Sequence, residues 1–202
     1  MPRRNIVVLD LETQKSFKEV GKNKLDKLKI SVAGIYDYLN GAYAIFEEKE
    51  ILNLEKRIRD AQLLVGFNIK RFDLPVLAPY LFKPVTELPV LDLLEEIEKV
   101  RGHRVSLESI AKPTLDEKKM GSGTEALLLY QENRIAELKE YCLQDVRLTK
   151  EIYDYGCKYG KIAFTSSWDY KTYEIPVTWK ETTEKLIQEN PASEETFPSS
   201  LF

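Results

Sequence analysis

Two carboxylates stand two residues apart at the end of an apolar run near the start of the chain. The run covers residues 6–9, and Asp10, Leu11, Glu12 and Thr13 follow it. Side chains at i and i+2 of a strand point to the same face, roughly 7 Å apart. Two close carboxylates repel each other and raise each other's pKa values unless a cation lies between them. The pattern has two interpretations: a cation site at the end of a buried strand, or two solvated acids in a polar turn.

A third carboxylate and an asparagine follow a later apolar run. Residues 62–66 are predicted to form a short buried strand, with Asn68 where the strand ends. Asp73 falls in the first turn of the next helix. Ligands of α/β folds bind at the carboxyl ends of strands, which favours a functional role for this carboxylate. An acid in the first turn of a helix is also favoured by the helix dipole alone.

A tyrosine and an aspartate stand four residues apart in the longest predicted helix, residues 135–159. Tyr141 and Asp145 therefore lie on one face of the helix, about 6 Å apart. Aspartate has a poor propensity for the middle of a helix, so its presence there suggests a specific use. The alternative is a solvent-facing Asp145 paired with Arg147 or Lys150.

The hydrophobic pattern predicts the elements that hold these residues. Strands are expected at 30–38 and 42–47, joined by an Asn40-Gly41 turn, and at 90–92. Helices are expected at 49–60 and 70–81, the second with Pro75 tolerated in its first turn. Together with the first strand and residues 62–66, these elements predict an α/β fold with a mixed five-stranded sheet flanked by helices.

The second half of the chain is predicted to be mainly helical. Ser106 is the expected N-cap of a helix that Pro113 ends. A basic, glycine-bearing loop at 117–123 precedes helices at 124–131 and 135–159. Residues 161–167 and 172–179 have strand character and predict a hairpin. These boundaries suggest a domain at 1–160, a hairpin extension at 161–180 packed on it, and a weakly ordered tail at 181–202.

Composition and charge exclude some classes of protein. The chain has 202 residues, 43% of them hydrophobic, and a net charge of −3, which argues against a protein that only coats nucleic acid. Its apolar runs are all well short of the ~20 residues that span a membrane. Strand sequence begins within five residues of the first methionine, which leaves no room for a signal peptide. Cys142 and Cys157 are the two cysteines, and we expect free thiols and a cytoplasmic location.

The three motifs together resemble a known family. Asp-x-Glu at 10–12, Asn-x-x-x-Phe-Asp at 68–73 and Tyr-x-x-x-Asp at 141–145 are similar to the motifs of the DnaQ-like 3′–5′ exonucleases. The tyrosine places the chain with the DEDDy branch of that group, within the ribonuclease H-like superfamily. Residues 66–75 also resemble the proofreading exonuclease domain of family B DNA polymerases. The resemblance covers about residues 5–156 and implies a ribonuclease H-like fold.

The resemblance implies a chemistry for the acids. Carboxylates without a cysteine–histidine cluster select Mg²⁺ or Mn²⁺, and two such ions support displacement at phosphorus. By similarity, Asp10 would bridge the two ions, and Glu12 and Asp145 would complete the first site. Asp73 would hold the second ion through water, and Tyr141 would orient the attacking water. The implied reaction is hydrolysis at the 3′ end of single-stranded nucleic acid, DNA slightly favoured, with release of nucleoside 5′-monophosphates.

Four further residues are expected to contact the substrate: Leu11, Thr13, Asn68 and Phe72. Leu11 would pack against the terminal base or point into the core, and the sequence does not choose between these. Asn68 would orient the substrate backbone or cap its turn. Asp92, at the end of the strand at 90–92, is predicted to be structural.

Partners and alternatives follow from the same resemblance. The expected substrates are single-stranded DNA or RNA 3′ ends, and the expected protein partners are polymerases, helicases or repair proteins. No membrane association is expected, and the sequence does not predict the oligomeric state. The alternative function is a catalytically weak member of the fold that binds nucleic acid or a protein partner.

Overall fold

A central sheet of five strands organises the chain. The computed structural model describes residues 4–82, 84–117 and 123–190. The strands are β1 (Ile6–Thr13), β2 (Ile30–Asp37), β3 (Ala42–Glu47), β4 (Leu63–Gly66) and β5 (Val90–Asp92), in the order β3-β2-β1-β4-β5. β2 pairs antiparallel with β1 and β3, whereas β4 pairs parallel with β1 and β5. The predicted mixed five-stranded sheet is confirmed.

Helices cover both faces of this sheet, and a second, two-stranded sheet follows the longest of them. The helices are α1 (Phe17–Val20), α2 (Ile51–Arg59), α3 (Asp73–Leu77), α4 (Leu93–Arg101), α5 (Leu107–Leu115), α6 (Gly123–Gln131), α7 (Ile135–Tyr159) and α8 (Trp179–Glu189). Strands β6 (Lys161–Thr165) and β7 (Thr172–Pro176) form an antiparallel hairpin. Within the described ranges, no helix combines the length and apolar character needed to cross a membrane.

Alternate residues of β1 pack against opposite layers, as its period of two requires. Val7, Leu9 and Leu11 lie on one face and pack in a core with α2 and α3. Ile6 and Val8 lie on the other face and pack in a core with α5 and α7. Asp10 and Glu12 continue the second face toward the carboxyl end of the strand. The strand therefore carries the two acids to the side of the sheet that α7 covers.

A glycine lets α7 approach the sheet closely. A Cβ atom added at Gly34 of β2 would lie 3.0 Å from Val146 Cγ2 and 3.1 Å from Cys142 Sγ. Gly34 is the register partner of Asp10 in β1, and the Cys142 thiol donates to the Asp10 carbonyl oxygen over 3.6 Å. A larger residue at position 34 would push away the part of α7 that carries the second half of the site.

Several predicted boundaries change in the structure. Residues 70–81 form only the short α3, followed by a 3-10 turn at Ala78–Tyr80. Pro113 does not end its helix, because α5 continues to Leu115. A proline this close to the helix end removes one backbone hydrogen bond without breaking the preceding turns. The predicted loop at residues 16–27 contains α1 and a 3-10 turn at Leu25–Lys27. In the predicted loop at 117–123, residues 118–122 lie outside the described ranges.

The C-terminal region contains a helix that the sequence analysis missed. Residues 179–189 form α8, so the expectation of a weakly ordered segment is wrong for 181–189, and residues 191–202 lie outside the described ranges. Trp179 is 1% exposed, and the hydroxyl groups of Thr183 and Tyr153 are 2.8 Å apart. The charged composition concealed an apolar stripe that includes Leu186. The division of the chain into a domain, an extension and a tail stays a prediction.

We expect Gly156→Ala to destabilise the protein by about 2–3 kcal/mol, because a Cβ atom there would lie 2.2 Å from Cε3 of the buried Trp179 ring. The better helix propensity of alanine, worth up to about 1 kcal/mol, offsets only part of this loss. Urea unfolding followed by circular dichroism measures the effect. Gly123→Ala is the matched control, since a Cβ atom at Gly123 meets nothing within 4 Å. Equal stability of the two variants would contradict the packing of α8 on α7.

Candidate functional site

Three carboxylates from two elements meet at the carboxyl end of β1. One oxygen each from Asp10, Glu12 and Asp145 lie within 4.8 Å of one another. Asp145 is 3% exposed, and the other two are half-buried. Their combined charge also raises the pKa of the Cys142 thiol, after the larger effect of its burial. The strand and the helix therefore produce a concentrated negative site.

A fourth carboxylate, from α3, reaches the same strand and lines the same cleft. Oδ1 of Asp73, in the first turn of α3, accepts a 3.1 Å hydrogen bond from the backbone N–H of Leu11. Leu11 lies between Asp10 and Glu12, so Asp73 contacts the backbone that joins them. Asp73 is 3% exposed and is not one of the three acids that meet.

Burial gives Asp73 an unusual protonation equilibrium. Loss of solvation raises the pKa of its carboxyl group to about 8, and the charges of Asp92 and Asp145 add to the increase. The hydrogen bond from Leu11 lowers the pKa by a smaller amount. A buried carboxyl group that resists ionisation is a common feature of functional sites and a natural ligand for an added cation.

An irregularity in β1 follows directly after the second acid of the site. The register with β2 shifts between Glu12 and Thr13. Such bulges redirect side chains and are frequent beside active sites. The Thr13 hydroxyl donates to the Lys15 carbonyl oxygen over 3.0 Å, which bends the chain toward α1.

Asp92 fixes the loop that presents Asp73. Its carboxylate accepts the backbone N–H groups of Asn68 at 2.9 Å and Lys70 at 3.1 Å. The same side chain caps α4 by accepting from two further N–H groups, those of Leu94 and Glu95. This confirms the structural role predicted for Asp92, which joins the end of β4 to the start of α4.

The Asn68 side chain is engaged by an arginine. Its φ of +69° lies in the left-handed region, and its side-chain oxygen accepts a hydrogen bond from Arg104 Nη2. Among the described residues that line the cleft over the acids, Asn68 does not occur. Asp92 thus holds the backbone of Asn68 and Arg104 its side chain, and the contact of Asn68 with substrate stays a prediction.

A cleft of about 410 Å³ opens over the acids. Three of its wall residues were predicted to contact substrate: Leu11, Thr13 and Phe72. Its walls also include residues that the sequence did not indicate: Lys15, Phe17, Phe67, Thr124 and Leu127. The rings of Phe17 and Phe72 meet edge to face with centroids 6.0 Å apart. Leu11 is 3% exposed and belongs to the core on the α2 side, so it fills the core and also forms part of the cleft wall.

The comparisons with known proteins agree with this fold. A family model described as the RNase_H superfamily matches residues 9–157. The chain belongs to the ribonuclease H superfamily. The family B DNA polymerase from the hyperthermophilic archaeon Pyrobaculum calidifontis has a similar structure, with a TM-score of 0.61 and 15% identity over 77% of this chain and 25% of the polymerase. Since the chain spans about a quarter of that polymerase and shares few residues with it, the likeness shows the fold. No curated protein matches the sequence.

The acidic cluster of this ribonuclease H superfamily member fits a divalent metal ion. Asp10, Glu12 and Asp145 offer only carboxylate oxygens, which are the ligands that hard cations prefer. Their oxygens are close enough together to bind one ion. The buried Asp73 carboxyl group adds a fourth donor beside this set.

Tyr141 lies one helical turn before Asp145 but is covered by α6. It is 3% exposed and packs in a small core with Ala126, Leu129 and Leu138. It is not one of the described residues that line the cleft. Tyr141 therefore lies on the same helix as Asp145. Helix α6, which forms one wall of the cleft, covers it.

If the Tyr141 hydroxyl orients the attacking water, Tyr141→Phe should lower kcat about 10- to 100-fold while unfolding at nearly the same urea concentration. The change removes one oxygen and keeps the ring in its core, so the stability loss should stay below about 1.5 kcal/mol. Tyr130→Phe is the matched control, because Tyr130 packs against the same core from α6. Unchanged turnover in Tyr141→Phe would remove this residue from the mechanism.

Proposed function

We propose that this chain is a metal-dependent 3′–5′ exonuclease that hydrolyses phosphodiester bonds of single-stranded nucleic acid, with DNA slightly favoured. The observation that supports the proposal is the meeting of Asp10, Glu12 and Asp145 within 4.8 Å, with Asp73 bonded to the backbone between the first two. The products are nucleoside 5′-monophosphates.

The acids hold the metal ions in this proposal. Asp10, Glu12 and Asp145 would bind one Mg²⁺ or Mn²⁺, and Asp73 would bind a second ion that Asp10 shares. Divalent cations at such a site stabilise the attacking and leaving oxygens of an in-line displacement at phosphorus. The burial of Asp73 and Asp145 keeps bulk water from screening the charge that develops there.

The chain's other residues orient the reacting groups. A phenol with a pKa near 10 is a poor base at neutral pH, so Tyr141 positions the attacking water and does not deprotonate it. Leu11 and Phe72 form the apolar wall against which the terminal base packs. Lys15, in the same cleft, supplies a positive charge for a substrate phosphate. Thr13 also lines the cleft, which supports its proposed contact with substrate.

A polymerase is the partner class that this proposal favours over a helicase or another repair protein. The structure compared above is that of a DNA polymerase, and this chain spans a quarter of it. A nuclease with this fold would act on the 3′ ends that a polymerase extends.

Labelled oligonucleotides test the proposal. Single-stranded DNA and RNA carrying a label at the 5′ end are incubated with Mg²⁺ or Mn²⁺, with an EDTA control. We expect a ladder that shortens from the 3′ end, and a 3′ label should leave first as a mononucleotide. One internal cut would indicate an endonuclease, and binding without cleavage in any metal would indicate the catalytically weak alternative. Either result would refute the exonuclease.

A further inference from the structure

The turn of the C-terminal hairpin presents two aromatic side chains to solvent. Trp168 is 89% exposed and Tyr170 is 84% exposed. Both lie between β6 and β7, and neither contributes to a core of the protein. Large aromatic side chains are seldom left exposed as a pair, and such residues commonly mark binding surfaces.

Local hydrogen bonds fix the backbone that carries these rings. The Ser166 hydroxyl accepts the N–H groups of Trp168 at 3.2 Å and Asp169 at 3.4 Å, and the Ser166 carbonyl accepts that of Tyr170 at 3.0 Å. The Asp169 carboxylate accepts from the Tyr173 hydroxyl. Tyr170 has a φ of +57°, in the left-handed region that bulky residues avoid. Because the backbone of the turn is already fixed, little conformational entropy is lost when a ligand binds to its rings.

One of the two rings, that of Tyr170, borders a groove whose lining residues are mostly polar. A groove of about 410 Å³ beside Tyr170 is lined by hydroxyl groups and a cation on α5, including Ser106, Ser109 and Lys112. The groove also contains the acids Glu108 and Asp116. Energetically important aromatic residues in protein interfaces lie in apolar, fully desolvated centres, which this turn lacks. Isolated rings among hydroxyl groups fit a ligand with flat faces and a polar backbone.

An ion pair ties the segment after α5 to the helix that carries Asp145. Asp116 lines the groove, and the next residue, Glu117, forms a bidentate pair with Arg147 at 2.5 and 3.0 Å. Arg147 follows Asp145 by two residues on α7. The same helix therefore carries Asp145 and anchors the segment at the edge of the groove.

Residues before α5 provide a second connection. The Arg101 guanidinium lies over the rings of Phe164 and Tyr173 of the hairpin, 5.2 and 5.3 Å from their centroids. Three residues later, Arg104 bonds to Asn68, which follows β4. Two neighbouring arginines thus contact the hairpin and the segment after β4.

We propose that Trp168 and Tyr170 form a stacking platform for bases of a single strand whose 3′ end occupies the cleft. The inference rests on the proposed function, since it assigns the upstream part of that substrate. Stacking on aromatic rings accepts any base, as an enzyme that removes successive nucleotides requires. A chain with a net charge of −3 gains little from nonspecific attraction to phosphates, so stacking supplies a larger share of the affinity.

The two tryptophans of the chain allow a binding test without catalysis. Trp168 is 89% exposed and Trp179 is 1% exposed, so added ligand reaches only the first. In EDTA, titration with a single-stranded oligonucleotide of about 16 nucleotides should quench the emission of exposed tryptophan. Trp168→Phe should remove the quenched signal and keep the affinity, measured by fluorescence anisotropy of a labelled oligonucleotide. Unquenched Trp168 emission at saturating oligonucleotide would overturn the platform.

Substrate length separates the platform from the acidic site. The double variant Trp168→Ser, Tyr170→Ser should lower kcat/KM on a 20-nucleotide strand about 5- to 150-fold per lost stack and leave kcat/KM on a dinucleotide unchanged. Phe82→Ser is the control, because Phe82 is 83% exposed outside the hairpin and should affect neither substrate.

The outcomes of the two tests are distinct. Quenching in EDTA without cleavage in any metal supports the platform and refutes the exonuclease. Cleavage with unquenched emission and an unchanged 20-nucleotide rate in the double variant refutes the platform alone and leaves the turn as a protein contact. An equal loss on long and short substrates would show a structural effect and also refute the platform.

Discussion

Asp145→Asn should lower the rate of nucleotide release at least about 10³-fold, a loss on the order of 4 kcal/mol of transition-state stabilisation. Asparagine keeps the size of the side chain and removes its charge. Because Asp145 is the one acid of the three that comes from α7, its neutralisation leaves the site with two ligands from a single strand. The decrease should appear in kcat, and added Mg²⁺ or Mn²⁺ should restore only part of it.

A control on the same helix separates charge at the site from charge on the helix. Glu140→Gln removes one carboxylate from an exposed position of α7 and should leave the rate unchanged. Calorimetry with Mn²⁺ should show weaker metal binding for Asp145→Asn and not for Glu140→Gln. Wild-type rates in Asp145→Asn would exclude a metal site built on this cluster.

The site illustrates what local sequence patterns can and cannot predict. The period of a strand predicts that Asp10 and Glu12 share a face, and the period of a helix predicts the same of Tyr141 and Asp145. Periodicity places residues on a face, and it does not say what covers that face. The burial of Tyr141 beneath α6 depends on how two helices pack. Local sequence patterns therefore did not predict it.

Part of the cleft wall and the C-terminal helix were missed for related reasons. Phe17 stands alone in a polar segment, and its contact with Phe72 joins parts of the chain that are distant in sequence. A phenylalanine in an otherwise polar segment was the sequence signal that could have indicated this wall residue. α8 has few apolar residues, and its stability comes from the burial of Trp179 against Gly156, a tertiary contact that overrides composition.

Asp73→Asn should stabilise the metal-free protein at pH 8 and at the same time abolish most of its nuclease activity. The wild-type carboxyl group has a pKa of about 8 in the folded chain and 3.8 as its ordinary value. Between these values the folded protein binds a proton that the unfolded chain does not. Stability from this group is therefore greatest at acid pH and falls as the pH rises from about 4 to about 8, by at most about 1.4 kcal/mol per pH unit.

Asparagine at position 73 removes this dependence. Its side-chain oxygen accepts the Leu11 N–H as the carboxylate does, so the contact between α3 and β1 is kept. Urea unfolding in EDTA at pH 5, 6, 7 and 8 should show the variant gaining on the wild type with each step. Asp26→Asn is the control, because Asp26 is exposed outside the site and should leave the slope unchanged.

Divalent metal should reverse the order of stability. A cation that binds the ionised Asp73 group repays the cost of burying its charge, so Mg²⁺ should raise the melting temperature of the wild type more than that of Asp73→Asn. The loss of activity and the gain in metal-free stability then have one cause, a carboxylate kept in a position that disfavours its charge until a cation arrives. If the two proteins have parallel stability profiles from pH 5 to 8, Asp73 is already ionised without metal, and burial does not control its pKa.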